Sequence, residues 1–306
     1  MSSVYEDANW PRASTWLNRG PALGSRGMLG VLGAPLNHSI TPGRCDLAPA
    51  AIRKAMYRFS PYDIEHDIDL DVLTVRDYGD LPLSSSTPED ALQPLSHAVR
   101  EALSENDALV LIGGDNGITR PGVHGLGIPL EKIGLVTLDA HFDLRDSDGG
   151  LMNGNPVRAL LADGLPGRNI VQIGIQAFAN SSAYAGVARE AGITVVTAEE
   201  ALSEGPSQVL HRALDRLEVD TIYFDLDVDV LDRSFAPGCP GARPGGLAPW
   251  QVRQCAFEAG LHPKVRAMDL VEVDPDKDMN DVTSLAAASF LLAFASGLAK
   301  RLEKLA

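Results

Sequence analysis

The chain has 306 residues, with 41 acidic side chains against 26 Lys and Arg and a formal net charge of −15. Apolar residues make up 45% of it, enough for a large core, which excludes an intrinsically disordered chain. The acidic balance argues against nucleic-acid binding and against docking on anionic membranes, both of which use clustered Lys and Arg. One locally basic pocket would still admit an anionic small molecule.

The first 27 residues open with MSSVYEDANWPRASTW, which has early acids and no apolar stretch, so they do not form a signal peptide. They are set apart as an N-terminal extension (1–27) without a readable role, and a cytoplasmic protein is expected. From there apolar strands alternate with helical patterns. MLGVL (28–32) is a strand, DLAPAAIRKAM a helix, SPYDIEHDIDL holds a weaker strand, and EDALQPLSHAVREALSE is a helix. ALVLI (108–112) and IGLVTLD (133–139) are strands, followed by a helical NPVRALLADG. IVQIGI (170–175) and ITVVT (193–197) precede the helical PSQVLHRALDRLE. TIYFDLD (221–227), helical APWQVRQCAFEAG and the strand VRAMDL (265–270) complete the alternation.

The longest apolar run, LAAASFLLAFASGLA (285–299), is too short at 15 residues to span a bilayer comfortably. It reads as a buried C-terminal helix, capped by Thr283 and Ser284 and closed by Lys300 and Arg301. Several strands are nearly all apolar, as strands covered on both faces of a parallel sheet are. The pattern defines an α/β fold with helices on both faces of one sheet, in a single domain over 28–306. Cys45, Cys239 and Cys255 have no C-x-x-C spacing and read as buried thiols.

In open α/β sheets ligands sit beyond the carboxyl ends of the strands. ALVLI runs into Gly113, Gly114, Asp115 and Asn116, and IGLVTLD into DAHFDLRD, with Asp139, His141, Asp143 and Arg145. TIYFDLD runs into DLDVDVLD, with Asp225, Asp227, Asp229 and Asp232. Asp139, His141 and Asp143 at i, i+2, i+4 share one face of an extended segment. Each group alone suits a solvated loop end or a cap. Together they would repel one another at one sheet edge unless cations sat among them. An oxygen-rich set with one imidazole suits Mn²⁺, and a carboxylate-bridged metal pair activates water near neutral pH. Glu272, in VRAMDLVEVDPDKD, follows another strand and is either a surface acid or a carboxylate for a cationic substrate group.

These residues, in this order, resemble the ureohydrolase superfamily of arginases, agmatinases and formimidoylglutamases, over about residues 28–304. TPGRCDLAPAAIRKA resembles the family's opening turn and helix, and GGDN stands where Gly-Gly-Asp-His is usual. DAHFD, DLDVDVLD, PGARPGGL, MDLVEVDP and DVTSLAAA resemble the later motifs. The resemblance implies a three-layer α/β/α domain with an eight-stranded parallel sheet, a two-manganese centre and hydrolysis of a C–N bond at an amidine-like carbon by a metal-bridging hydroxide. It implies that Asp139 and Asp225 bridge the metals, that His141 and Asp227 complete one, and that Asp143 and Asn116 complete the other. His141, Asp143 and Glu272 carry the catalytic roles, with Glu272 orienting the cationic =NH₂ groups. An amide is a poorer donor than imidazole, so the metal beside Asn116 is expected to bind weakly. A trimer or hexamer is implied.

Specificity has to come from other positions. DAHFDLR resembles formimidoylglutamases, and Arg145 suits a dicarboxylic substrate such as N-formimidoyl-L-glutamate through a bidentate pair. Its alternative is a salt bridge to Asp146 or Asp148. Asn153 replaces the His that arginases and agmatinases usually carry. Asn155 and Asn180 are further candidate pocket contacts, and Arg158 is a second candidate carboxylate partner set against a plain helix-face position. Ala177 and Ala179 stand where arginases place acids. The expected function is therefore a manganese formimidoylglutamase of histidine degradation, yielding glutamate and formamide. An agmatinase, another guanidino-acid hydrolase, or a metal-impaired non-catalytic homologue is the alternative.

Overall fold

The computed structural model describes residues 7, 9–19 and 27–304. Its strands are β1 (Gly27–Ala34), β2 (Tyr62–Asp63), β3 (Ile68–Asp69), β4 (Leu73–Asp80), β5 (Ala108–Gly113), β6 (Ile133–Leu138), β7 (Ile170–Ile175), β8 (Thr194–Thr197), β9 (Thr221–Asp227) and β10 (Val265–Val271). Eight of them form one sheet in the order β4-β1-β5-β10-β9-β6-β7-β8, and every pairing in it is parallel.

Strand alternation explains the three layers. On β5, Ala108, Val110 and Ile112 join one apolar cluster, while Leu109 and Leu111 join the other. The first cluster is built with helices Ala48–Ala55, Pro206–Arg216, Pro249–Leu261 and Val282–Glu303. The second is built with Pro88–Glu105, Pro156–Asp163 and the turn around Ile118 and Val123. Each sheet face is thus sealed by helices, which is what near-continuous apolar strands require.

The eighth strand of the sheet is not the one expected within SPYDIEHDIDL. That stretch folds into the two-residue antiparallel pair β2 and β3, turning at Asp67 with φ +53°. The edge strand is β4, whose second half is polar and partly exposed because it pairs only with β1. The C-terminal helix is longer than its apolar run, Val282–Glu303, and packs inside the molecule although its length and composition would suit a membrane span. Its start is held differently from expectation. Asp278 accepts hydrogen bonds from the backbone N–H of Thr283 and Ser284 and from Ser284 Oγ, each at 2.9 Å. A carboxylate there satisfies the free N–H groups of the first turn better than hydroxyls inside the helix can. At the other end Arg301 is buried and donates to the carbonyls of His262 and Val265.

The short helix Ala13–Leu17 lies against the first cluster, with Trp16 donating Nε1–H to the Leu70 carbonyl at 2.9 Å. All three cysteines are buried free thiols, as expected.

Candidate metal centre

Four neighbouring strands, β5, β10, β9 and β6, end side by side. Asn116 follows β5, Glu272 follows β10, Asp227 ends β9, and Asp139, His141 and Asp143 follow β6. Sequence-distant acids therefore converge because the strand order makes their strands adjacent.

At β6, Asp139 is 1% exposed. Its Oδ1 accepts the His141 N–H at 2.5 Å, and its Oδ2 is buried without a hydrogen-bond partner. His141 turns Nδ1 to Asp229 Oδ2 at 2.7 Å, and Asp229 Oδ1 accepts the Ala140 N–H at 2.9 Å. Asp139, His141 and Asp229 bring donor atoms within 4.8 Å of one another. Asp143 adopts φ +52° and Glu272 φ +66°. Both hold the left-handed backbone, costly for residues with a Cβ and kept where surrounding structure fixes it.

Asn116 bridges both halves. Its backbone N–H donates to Glu272 Oε1 at 2.9 Å, and its Nδ2 donates to Asp143 Oδ2 in a short contact. Its Oδ1 accepts from Thr119 Oγ1 at 2.6 Å, and Thr119 also bonds Asp269 Oδ2 at 2.9 Å. Asp115 braces the turn, accepting from the N–H of His38 and Gly117 and from Ser39 Oγ. Gly114 has no side chain to keep neighbouring backbone away. It serves a close pass of Leu36, whose carbonyl oxygen would lie 1.8 Å from an added Cβ.

Crowded, buried acids shift together. Burial, reinforced by the charge of Asp229, pushes Asp139 up to about 7. Burial, with Asp115 adding to it, pushes Glu272 up to about 8. Asp143 and Asp227 rise well above the usual range, first through burial and then through their acidic neighbours. For His141 the carboxylates of Asp229 and Asp139 outweigh burial and raise it to about 11. Such a cluster binds protons or cations in preference to standing bare.

The polar candidates divide by what they touch. A cleft of about 280 Å³ is lined by His141, Asp143, Asp227, Asp229 and Glu272, with Arg145, Asn153, Asn180 and Arg243 around them. Arg145 is exposed and has no ion-pair partner among the described residues, so the salt bridge to Asp146 or Asp148 is not formed. Asn153 donates to Glu272 Oε1 at 3.0 Å and accepts the Ile40 N–H at 2.9 Å. Asn180, though at the cleft, spends its amide on the Phe142 N–H and the Ala140 carbonyl. Asn155 and Arg158 lie outside the lining. Asn155 ties Met152, Asp146 and Gly150 together, and Arg158 donates Nε–H to the Leu144 carbonyl at 2.8 Å. Backbone groups near the acids take up both ends of the two Asn amides and the Nε–H of Arg158. Ala179 lines the cleft, and Ala177 does not.

Asp225 stands deeper than expected. It pairs in register with Asp269 on β10 and is absent from the cleft wall. Burial and then Asp269 push its pKa well up. Asp229, two residues on, is the acid the structure brings to His141. Spacing alone does not separate the two, because 225, 227 and 229 share one face of an extended chain. Asp269, Thr119 and Arg243 also escape a reading confined to strand-end acids.

A fully parallel sheet sealed by helices, with histidine and carboxylates gathered at its carboxyl edge, defines an α/β protein built for cation-assisted chemistry. The chain belongs to the arginase family, whose model matches residues 28–296. It is 38% identical over 275 residues to a formimidoylglutamase of Halalkalibacterium halodurans, covering 88% of this chain and 86% of that one. It is similar in structure to a formimidoylglutamase from Bacillus subtilis, with TM-score 0.89, 28% identity, and 97% and 95% of the two chains covered. A formiminoglutamase from Trypanosoma cruzi with Mn²⁺ matches at TM-score 0.85 and 25% identity, over 95% of this chain and 99% of that one.

Proposed function

We propose that the chain hydrolyses N-formimidoyl-L-glutamate to L-glutamate and formamide in a manganese-dependent reaction. The observation that carries this reading is Arg145, without an ion-pair partner among the described residues, in a cleft lined by His141, Asp143, Asp227 and Asp229, with Asp139 grouped beside His141 and Asp229. The donor set fits manganese, since it is oxygen-rich with one imidazole and leaves Asp139 Oδ2 buried and unpartnered. Asp139, His141, Asp143, Asp227 and Asp229, with Asn116, would hold two ions per subunit, and Asp225 would stand behind them. Bound manganese supplies Lewis-acid activation of water near neutral pH.

Around that chemistry the chain positions the substrate. Arg145 pairs with a substrate carboxylate. Glu272, held by the Asn116 N–H and the Asn153 amide, faces the amidinium, whose positive charge offsets the cost of ionising a buried acid. Water adds to the formimidoyl carbon, the C–N bond to the glutamate nitrogen breaks, and that nitrogen leaves with a proton. The carbon departs as formamide. Agmatine, which has no carboxylate, would leave Arg145 without a partner. We also propose residues 28–306 as one catalytic domain after the extension, working in the cytoplasm as a trimer or hexamer.

Manganese-loaded protein offered formimidoylglutamate, arginine, agmatine and guanidino acids should release glutamate and formamide from the first. Urea from agmatine, with formimidoylglutamate untouched, would sink this reading. No turnover of any of them at high Mn²⁺ would favour a non-catalytic homologue.

A further inference from the structure

Two arginines share the cleft, and only Arg145 has been given a partner. Arg243 lies on a different segment, the loop after β9. Its Nη1 donates to the Gly241 carbonyl at 2.8 Å and lies 2.6 Å from His141 Nε2. One N–H of Nη1 is thereby used, and the imidazole stands against the same nitrogen. No hydrogen bond from Nε or Nη2 and no carboxylate partner occurs among the described residues. The fork edge of the guanidinium, the edge that takes a carboxylate in two parallel hydrogen bonds, is left open.

Arg145 is placed comparably. Its side chain lies along Gly154, where an added Cβ would meet Cδ at 2.8 Å and Nε at 3.1 Å, and its guanidinium has no ion-pair partner among the described residues. The cleft thus carries two open guanidinium groups, one on the loop after β6 and one on the loop after β9. Asp227, Asp229 and Glu272 on the same walls would otherwise repel an anion. A single carboxylate needs one arginine. A substrate with two carboxylates on one short chain needs both.

We propose that Arg243 is a specificity-determining residue. It holds the second carboxylate of a dicarboxylic amidine while Arg145 holds the first, so the cleft favours dicarboxylic over monocarboxylic substrates. This rests on the reading of the cleft as a formimidoylglutamate site.

The test compares glutarate and butyrate, one dicarboxylate and one monocarboxylate, binding by calorimetry to the manganese-loaded enzyme, alongside steady-state kinetics. The unmodified enzyme should bind glutarate at least tenfold more tightly than butyrate. Arg243→Met should abolish most of that preference and raise KM for formimidoylglutamate at least tenfold, with the loss falling on KM rather than kcat. Arg243→Lys should restore part of the preference, and Arg243→Gln replaces the Met variant if that one fails to fold. A glutarate preference that survives in a folded Arg243 variant, with KM unchanged, overturns the proposal while leaving the proposed reaction standing. If the enzyme spares formimidoylglutamate yet loses its glutarate preference with Arg243, the proposed reaction fails and the role of Arg243 holds.

Discussion

Asp229 holds His141 at the cleft, Oδ2 to Nδ1 at 2.7 Å, with the other Asp229 oxygen fixed by the Ala140 N–H. The family resemblance implies Asp225 and Asp227 as the metal-holding acids of this strand, among the four acids of DLDVDVLD. Asp229→Asn removes one negative oxygen facing the imidazole nitrogen. Manganese affinity, measured by calorimetry, should fall more than about 100-fold, beyond the usual cost of losing an outer partner of a ligand. Asp225→Asn should cost less. The reverse order would return Asp225 to the metal.

The metal-free protein should lose stability as pH rises. Asp139 and Glu272 have folded pKa values raised to about 7 and about 8, and His141 is raised to about 11. Between about pH 5 and pH 9 the folded chain therefore binds more protons than the unfolded one, and unfolding becomes easier as these protons are lost. Thermal melts after chelation should show Tm falling across that window. Added Mn²⁺, which binds the ionised groups, should raise Tm more at pH 8.5 than at pH 6. A chelated protein with Tm rising across the window contradicts this account of the cluster.

Glu272→Gln keeps the side-chain shape and removes the charge facing the amidinium. A loss of about 100-fold to 1,000-fold in kcat is expected, the range seen when one preorganised electrostatic group is removed. The Gln carbonyl can still accept from the Asn116 N–H and the Asn153 amide, which both donate to the one oxygen Oε1, so the change falls on the charge. Steady-state kinetics with a melting curve as folding control checks this, and unaltered kcat would remove Glu272 from the reaction.

Gly114→Ala should destabilise by at least about 2 to 3 kcal/mol, the upper part of the range for forcing extra atoms into a packed site. The atoms it would meet are the backbone N, C and O of Leu36, which cannot swing aside as a side chain would. Denaturant melts measure this, and a loss below about 0.5 kcal/mol would mean the two segments part easily.

Much of this was legible beforehand because apolar strands broke abruptly into acids. Asp139 and Glu272 stand where the chain leaves the sheet, and the strand order places them together. The edge strand Leu73–Asp80 was not legible, since half of it is polar and carries little strand signal. Residue type and position do not show that Asn155 and Asn180 bond the backbone around the acids, or that Arg158 gives its Nε–H to the Leu144 carbonyl. Asp225 is the acid that the resemblance implies and Asp229 the one set against His141, because DLDVDVLD offers the same Asp-x-Asp spacing at 225/227 and at 227/229.

The central claim is that the carboxylate cluster is a two-manganese centre with its weaker half beside Asn116. Manganese titration of the chelated protein tests it most directly. Two binding events of clearly different affinity are predicted, and Asn116→His should tighten the weaker one by exchanging an amide for an imidazole. Two equally tight sites in the unmodified protein, or binding that Asn116→His leaves unchanged, would contradict the account.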